Sequence, residues 1–153
     1  LTGLYNRMAY EKLALPVFNQ YMKNKKPVGI MFIDADHLKY INDNFGHDMG
    51  NLAISSIASV IRQHFPANSV SMRYGGDEFV CVIPDYDQTQ MQKLKQNLLD
   101  SLAVLSRNSR MAFPIEASIG FVVADDPVFS LNDYINLADE KMYIDKKNRK
   151  AGR

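Results

Sequence analysis

The apolar pattern is densest at Pro27-Val28-Gly29-Ile30-Met31-Phe32-Ile33, a near-continuous run of strand length that predicts a central strand buried on both faces. The run stops at Asp34, and Asp36 follows Ala35, so two acids close a buried strand where carboxylates need a partner or a metal. Before it, Asn6 predicts a cap for a helix from Arg7, with Met8, Leu15 and Phe18 turned to a core and Pro16 kinking or splitting the helix. Lys23 to Lys26 is a polar loop. After the strand, Lys39 to Asn44 predicts a short helix and Phe45-Gly46-His47-Asp48 a turn into a longer one. In that longer helix Ile54, Ile57, Ala58 and Ile61 keep the spacing of one buried face until about Pro66. Met91, Leu94, Leu98, Leu102 and Leu105 recur at steps of three or four among polar residues, as in a surface helix packed on a sheet. Phe113, Ile115, Ala117 and Ile119 alternate with Pro114, Glu116, Ser118 and Gly120, which predicts a half-buried strand running on through Phe121-Val122-Val123 to Asp125-Asp126-Pro127. Ser130 and Asp133 form a capping-box pattern for a last helix that buries Leu131, Ile135, Ala138 and Met142.

Between the second and third helical patterns, Ser69-Val70-Ser71-Met72 and Val80-Cys81-Val82-Ile83 read as a hairpin around Arg73-Tyr74-Gly75-Gly76-Asp77-Glu78-Phe79. Gly75 and Gly76 are expected to supply the positive φ of a tight two-residue turn. The order α, β, α, α, β, β, α, β, α predicts an α/β fold, with helices over a sheet that contains at least one antiparallel hairpin.

Asp77 and Glu78 stand where a plain strand would prefer Val, Ile or Thr. Side chains alternate across a strand, so a metal site shared by both acids requires the turn to bend one of them round. If the hairpin neighbours the first strand, Asp34, Asp77 and Glu78 meet as three carboxylates. Oxygen-only sites favour Mg²⁺ or Mn²⁺, and paired ions about 3.5–4 Å apart catalyse in-line phosphoryl transfer. On spacing alone the same acids also suit solvated turn residues.

Composition narrows the function classes. The chain has 153 residues, enough for one domain burying about two-thirds of its unfolded surface, so residues 1–153 read as a single domain. A formal charge of +1 argues against a nucleic-acid polymer as the main partner but leaves a small anionic ligand open. The single cysteine, Cys81, lies in an apolar strand and reads as a buried thiol in a reducing compartment. No apolar run approaches the ~20 residues that span a bilayer, and no signal peptide opens the chain, so the expected location is cytoplasmic, without membrane contact by this domain. The abrupt start at Leu1-Thr2-Gly3 suggests one module of a longer protein.

The motifs resemble those of the GGDEF domain, the catalytic domain of bacterial diguanylate cyclases. The signature stands as Gly75-Gly76-Asp77-Glu78-Phe79 after Arg73. Four further blocks match in order: Leu1 to Arg7; Asp34-Ala35-Asp36 through Asn42-Asp43 and Gly46-His47; Ser118-Ile119-Gly120; and Ala138-Asp139 through Met142-Tyr143 and Lys146. The resemblance implies a central, mostly antiparallel sheet covered by helices, like the polymerase palm and the class III nucleotidyl cyclases. It implies condensation of two GTP into cyclic di-GMP with release of pyrophosphate, each GTP held by one domain of a head-to-head homodimer. An upstream sensory or regulatory domain would control the reaction, and a full-length protein could be membrane-anchored through other parts. By position, Asp34, Asp77, Glu78 and the Ala35 carbonyl would hold Mg²⁺ or Mn²⁺, and Asp77 would help deprotonate the attacking 3′-hydroxyl. The backbone around His37 and Leu38, with Lys39 and Lys146, would hold the β and γ phosphates, and Asn42 would read guanine. Leu1 to Arg7 would anchor the first helix and transmit dimer geometry. His47 would fix the turn after Gly46, and Ser118 and Gly120 would allow close packing on the sheet.

The chain departs from the family pattern in four places. Asn51 stands where an aspartate accepts hydrogen bonds from guanine, and a carboxamide offers one acceptor and one donor instead of two acceptors, so relaxed selectivity and a mixed cyclic GMP-AMP product come into view. Pro66-Ala67-Asn68-Ser69 replaces the Arg-x-x-Asp of the product-inhibition site, which implies no feedback through that site. His37 replaces an aromatic residue, and Arg149-Lys150 replaces Gly-Arg, so that Lys150 keeps a charge but lacks the bidentate fork. The competing reading is a degenerate module that binds nucleotide or transmits a signal without turnover.

Overall fold

The structure is a computed structural model that describes residues 2–108 and 113–151. A two-residue strand β1 (Tyr5–Asn6) is followed by a π-helical segment (Tyr10–Ala14) that runs directly into α1 (Leu15–Lys23). Then come β2 (Val28–Ala35), α2 (Leu38–Phe45), α3 (His47–His64), β3 (Val70–Arg73), β4 (Glu78–Pro84), α4 (Gln88–Asn108), β5 (Ala117–Ala124) and α5 (Leu131–Ala151). The strands form one sheet in the order β1-β3-β4-β2-β5. All pairs are antiparallel except β1 with β3.

β2 is flanked by β4 and β5 and is buried along its whole length, which is why its sequence is apolar on both sides of the pleat. One face carries Met31, Ile33, Phe79, Cys81 and Ile83 against Ile54, Ile57 and Ile61 of α3 and Met91 and Leu98 of α4. The other carries Ile30, Phe32, Val80 and Val82 against Phe18 of α1 and Leu131, Ile135, Ala138 and Met142 of α5. The result is a three-layer sandwich of two helical layers around one mixed sheet. Ser130 and Asp133 cap α5 reciprocally, the Ser130 N–H donating to Asp133 Oδ2 at 2.9 Å and the Asp133 N–H to Ser130 Oγ at 3.1 Å.

Several expectations need correction. The first helix is not broken at Pro16: the π-helical turns run straight into α1, with the proline in its first turn, and Met8 is exposed because the chain there is still turning. Asn6 caps that turn, its Oδ1 accepting the Met8 N–H at 3.0 Å. Gly75 and Gly76 do not take positive φ. Arg73 pairs with Phe79, which leaves five residues in the connection, and a loop of that length turns without the left-handed residues of a two-residue turn. β5 begins at Ala117; Phe113 and Ile115 are buried outside the strand, with the Ile115 N–H held by Ser106 Oγ at 2.8 Å. β5 is buried on both faces, since α5 lies over Ser118 and Gly120 so closely that a Cβ on Gly120 would overlap the backbone of Ala138 and Met142. Leu1 lies outside the described residues.

Candidate active site

The chemistry gathers where β2 ends, β4 begins and the last turns of α5 pass over both. Antiparallel pairing places Asp34 opposite Glu78, and the Ala35 N–H donates to the Asp77 carbonyl at 2.8 Å. Beyond the ladder, Tyr74 and Gly75 both donate their N–H to the Glu78 carbonyl, at 2.8 and 3.3 Å. Arg73 staples the tip, Nη2 donating to the Gly76 carbonyl at 2.7 Å. A Cβ on Gly75 would stand 2.5 Å from Glu78 Oε1, so a side chain there would displace the Glu78 carboxylate, although the backbone φ itself does not demand glycine.

Asp34 is buried, and its Oδ2 accepts from Lys146 Nζ at 2.9 Å while Oδ1 is buried with no hydrogen-bond partner. Burial pushes its carboxyl up to about 6; the Lys146 hydrogen bond pulls the other way, and the neighbouring Asp77 carboxylate adds to the rise. Glu78 is raised as well, by burial and then by the Asp77 and Asp139 carboxylates, against the pull of Arg7 and Lys146. Burial disfavours the Lys146 ammonium, but the hydrogen bond and charge of Asp34, with Asp36 and Asp77 behind, outweigh it and hold the pKa above the ordinary lysine value.

The next residues form the floor of a cleft. Asp36 is buried, donates its N–H to the Glu116 carbonyl at 2.9 Å, and accepts from Ser118 Oγ at 2.6 Å and Arg149 Nε at 3.2 Å. His37 is left-handed, at φ 60° and ψ 24°, and serves as N-cap of α2 without a side-chain cap. The α2 N-terminus therefore faces the cleft with its first-turn amides free of a capping side chain. Ala35, His37, Leu38, Lys39, Asp77, Lys146 and Lys150, all picked out in the sequence, line one cleft of about 200 Å³ together with Asp36 and Arg149.

Asp34 reaches the cleft through its bond to Lys146, and three candidates lie apart from it: Asn42, Asn51 and Glu78. Asn42 is half-buried on α2, and Gly50 of α3 is packed so close that a Cβ there would overlap the Asn42 amide oxygen; Asn51, the next residue, is exposed. Glu78 does not line the cleft, although the charges of Asp77 and Lys146 reach it as do those of Asp139 and Arg7. Among the described residues no three His, Cys, Asp or Glu side chains already converge on one metal position. The donor chemistry nevertheless fits a hard divalent cation: every candidate donor is an oxygen, and Asp34 Oδ1 is a buried acceptor without a partner, beside a second carboxylate.

Sequence reasoning missed Arg149 as a cleft residue. Its partners Asp36 and Glu116 are far away in the chain, so only the basic run at the end of α5 could have hinted at it. It also took Ser118 for a packing residue, whereas the hydroxyl is a buried donor to Asp36.

Residues 1–152 match the family described as "Diguanylate cyclase, GGDEF domain". The chain is a GGDEF domain. Among its relatives is the probable diguanylate cyclase DgcJ of Escherichia coli, 31% identical over 99% of this chain and 29% of that protein. Another is the bifunctional diguanylate cyclase/cyclic di-GMP phosphodiesterase MucR of Pseudomonas aeruginosa, 29% identical over 99% of this chain and 22% of that protein. The chain thus spans well under half the length of these relatives. Among solved structures, the GGDEF domain of DgcB from Caulobacter crescentus, in complex with c-di-GMP, superposes with a TM-score of 0.87 at 24% identity, covering 96% of this chain and 88% of that one. The GGDEF domain of YfiN (TpbB) from Pseudomonas aeruginosa gives 0.82 at 27% identity, covering 97% and 93%. The palm-like cyclase fold expected of a GGDEF domain is the fold observed. At the position of the family's product-inhibition motif, this GGDEF domain has a neutral turn, with the Ser69 N–H and Oγ both donating to the Pro66 carbonyl, at 3.0 and 2.6 Å.

Proposed function

We propose that this GGDEF domain is a diguanylate cyclase that condenses two GTP into cyclic di-GMP, releasing two pyrophosphates, with Mg²⁺ or Mn²⁺ and as a head-to-head homodimer. The observation that carries the reading is Asp34, a buried carboxylate with one oxygen unpartnered, beside Asp77 at the edge of a cleft lined by Lys39, Lys146 and Lys150. Asp34, Asp77, Glu78 and the Ala35 carbonyl would hold the metal. When bound, a divalent cation supplies charge neutralisation at the reacting phosphate and lowers the pKa of the attacking hydroxyl.

The protein's own groups account for the remaining steps. The amides at the start of α2 and the lysines take the triphosphate, so Lys146 exchanges the Asp34 oxygen for a phosphate oxygen. Asp77 helps remove the proton from the 3′-hydroxyl. The 3′-oxygen then bonds to the α-phosphorus of the other GTP, the bond from that phosphorus to the bridging oxygen breaks, and pyrophosphate leaves with the electron pair. The reaction repeats with the roles exchanged. The partners are GTP, a second copy, and a regulatory domain elsewhere in the protein; the consumption of GTP is consistent with a cytoplasmic location.

Asn51 favours a second reading of selectivity. It is exposed and follows Gly50, which packs on Asn42, and an amide there loses one charge-assisted hydrogen bond to guanine, roughly 1.5–3 kcal/mol. A cyclase with relaxed base choice would make some cyclic GMP-AMP. The test is incubation with GTP, ATP or both plus Mg²⁺ and chromatography of the products, using the domain fused to a dimeric coiled coil and Glu78→Ala as control. Cyclic di-GMP from wild type and none from the variant is the expected result. Strict GTP use with no gain from Asn51→Asp sinks relaxed selectivity; GTP binding without any product means a degenerate binding module. The neutral turn at Pro66 to Ser69 leads us to expect no product inhibition there, and calorimetric cyclic di-GMP binding that is lost on changing Ser69 would contradict this.

A further inference from the structure

The cleft is tied to the end of α5 by a contact that no candidate role accounts for. Arg149 reaches two separate segments at once: Nε donates to Asp36 Oδ2, and Nη2 to Glu116 Oε2, each at 3.2 Å. Asp36 lies just after β2 and Glu116 just before β5, and the two are joined again by the Asp36 N–H to the Glu116 carbonyl. Ser118, wholly buried, donates to the other Asp36 oxygen at 2.6 Å.

The contact stands where backbone strain must be held. His37, next to Asp36, is in the left-handed region, a strained conformation for a non-glycine residue that persists only when its surroundings fix it. That conformation turns the chain from β2 into α2 and aims the first amides of the helix at the cleft. A buried carboxylate is costly unless paired and fully hydrogen-bonded, so an Asp36 stripped of its guanidinium would leave an oxygen buried without a partner, move to relieve it, and release the turn. Lys146 and Lys150 sit on the same helical end as Arg149, so one contact sets the spacing between the lysines and the α2 amides across the cleft.

We infer that Arg149 is a positioning residue for nucleotide binding, clamping Asp36 and Glu116 so that the strained turn at His37 and the basic end of α5 hold a triphosphate between them. The inference rests on reading the cleft as the GTP site. Its action is on the ground-state complex, so its loss raises KM more than it lowers kcat.

The test is GTP affinity by titration calorimetry with Mg²⁺ and the α-thio analogue of GTP, together with initial rates for the domain fused to a dimeric coiled coil. Arg149→Ala is expected to weaken the analogue about tenfold and raise KM to match, with kcat within about threefold. Asp36→Asn is expected to do likewise, and the double variant to be no worse than either single one, because both remove one clamp. Arg149→Lys keeps the charge balance and the fold but cannot span two carboxylates from a planar fork, and is expected to lose about threefold. Wild-type affinity in Arg149→Lys and Arg149→Ala, or losses that multiply in the double variant, overturns the clamp. A wild-type chain that binds no guanine nucleotide overturns the cleft reading and the clamp with it.

Discussion

At the scale of single residues, Asp34 is placed where its charge costs the metal-free domain stability. Its folded pKa of about 6 lies above the 3.8 of an ordinary aspartate, so the fold prefers the protonated form. The stability this preference contributes is fully present below pH 3.8 and is lost as pH rises through 6. Asp34→Asn should therefore stabilise the chelator-treated domain at pH 7–8, by about 1–3 kcal/mol or several degrees in Tm, while abolishing product formation. The gain should vanish toward pH 4; a variant less stable than wild type at pH 7.5 would rule the idea out. Cys81 is shifted by the same physics without any functional gain. Full burial pushes its thiol up to about 12, against a weaker pull from the Ser71 hydroxyl. A disulfide reagent should thus modify the native protein no faster than it unfolds, with rapid labelling in denaturant; fast labelling of the native state would show that β4 opens locally.

At the scale of elements, two buried glycines make opposite predictions. A Cβ on Gly120 would meet the α5 backbone at Ala138 and Met142, which cannot yield, whereas one on Gly29 would meet only the flexible thioether of Met91. Gly120→Ala should cost about 3 kcal/mol or more in urea denaturation and Gly29→Ala about 1. Since α5 carries Lys146, Gly120→Ala should also depress the activity of the fraction that folds; equal costs for the two variants would mean that α5 is not seated as described. The same element shows how far a sequence can be read. The apolar stripes of α3, α4 and α5 and the buried run of β2 were legible because each obeys its own local period. β1 was not, because two exposed residues pairing at a sheet edge carry no period at all. The alternation of β5 put Ser118 and Gly120 on an open face, whereas the family resemblance already gave them close packing, and α5 crosses there with almost no room. Asp34, Asp77 and the lysines could be picked out by residue type and motif. The Arg149 clamp could not, since its partners are brought together only by the closed sandwich.

At the scale of the whole molecule, the cleft lies at one end of the sandwich, where β2 stops, β4 starts and α5 ends, and all its lining comes from this one domain. If, as proposed, the cleft takes one GTP, condensing two calls for a second domain that presents its own nucleotide, related by a two-fold axis so that the same surface serves both partners. The rate per domain should accordingly rise with protein concentration for the free chain and become independent of it after fusion to a dimeric coiled coil. Mixing sharpens the test. If wild-type and Asp34→Asn fusions are co-refolded in equal amounts, random pairing leaves about one quarter of the dimers with two competent domains, so activity should fall to about a quarter of the all-wild-type value. A domain that completes the reaction alone would keep about half, and a titration of the variant distinguishes a square-law decline from a linear one.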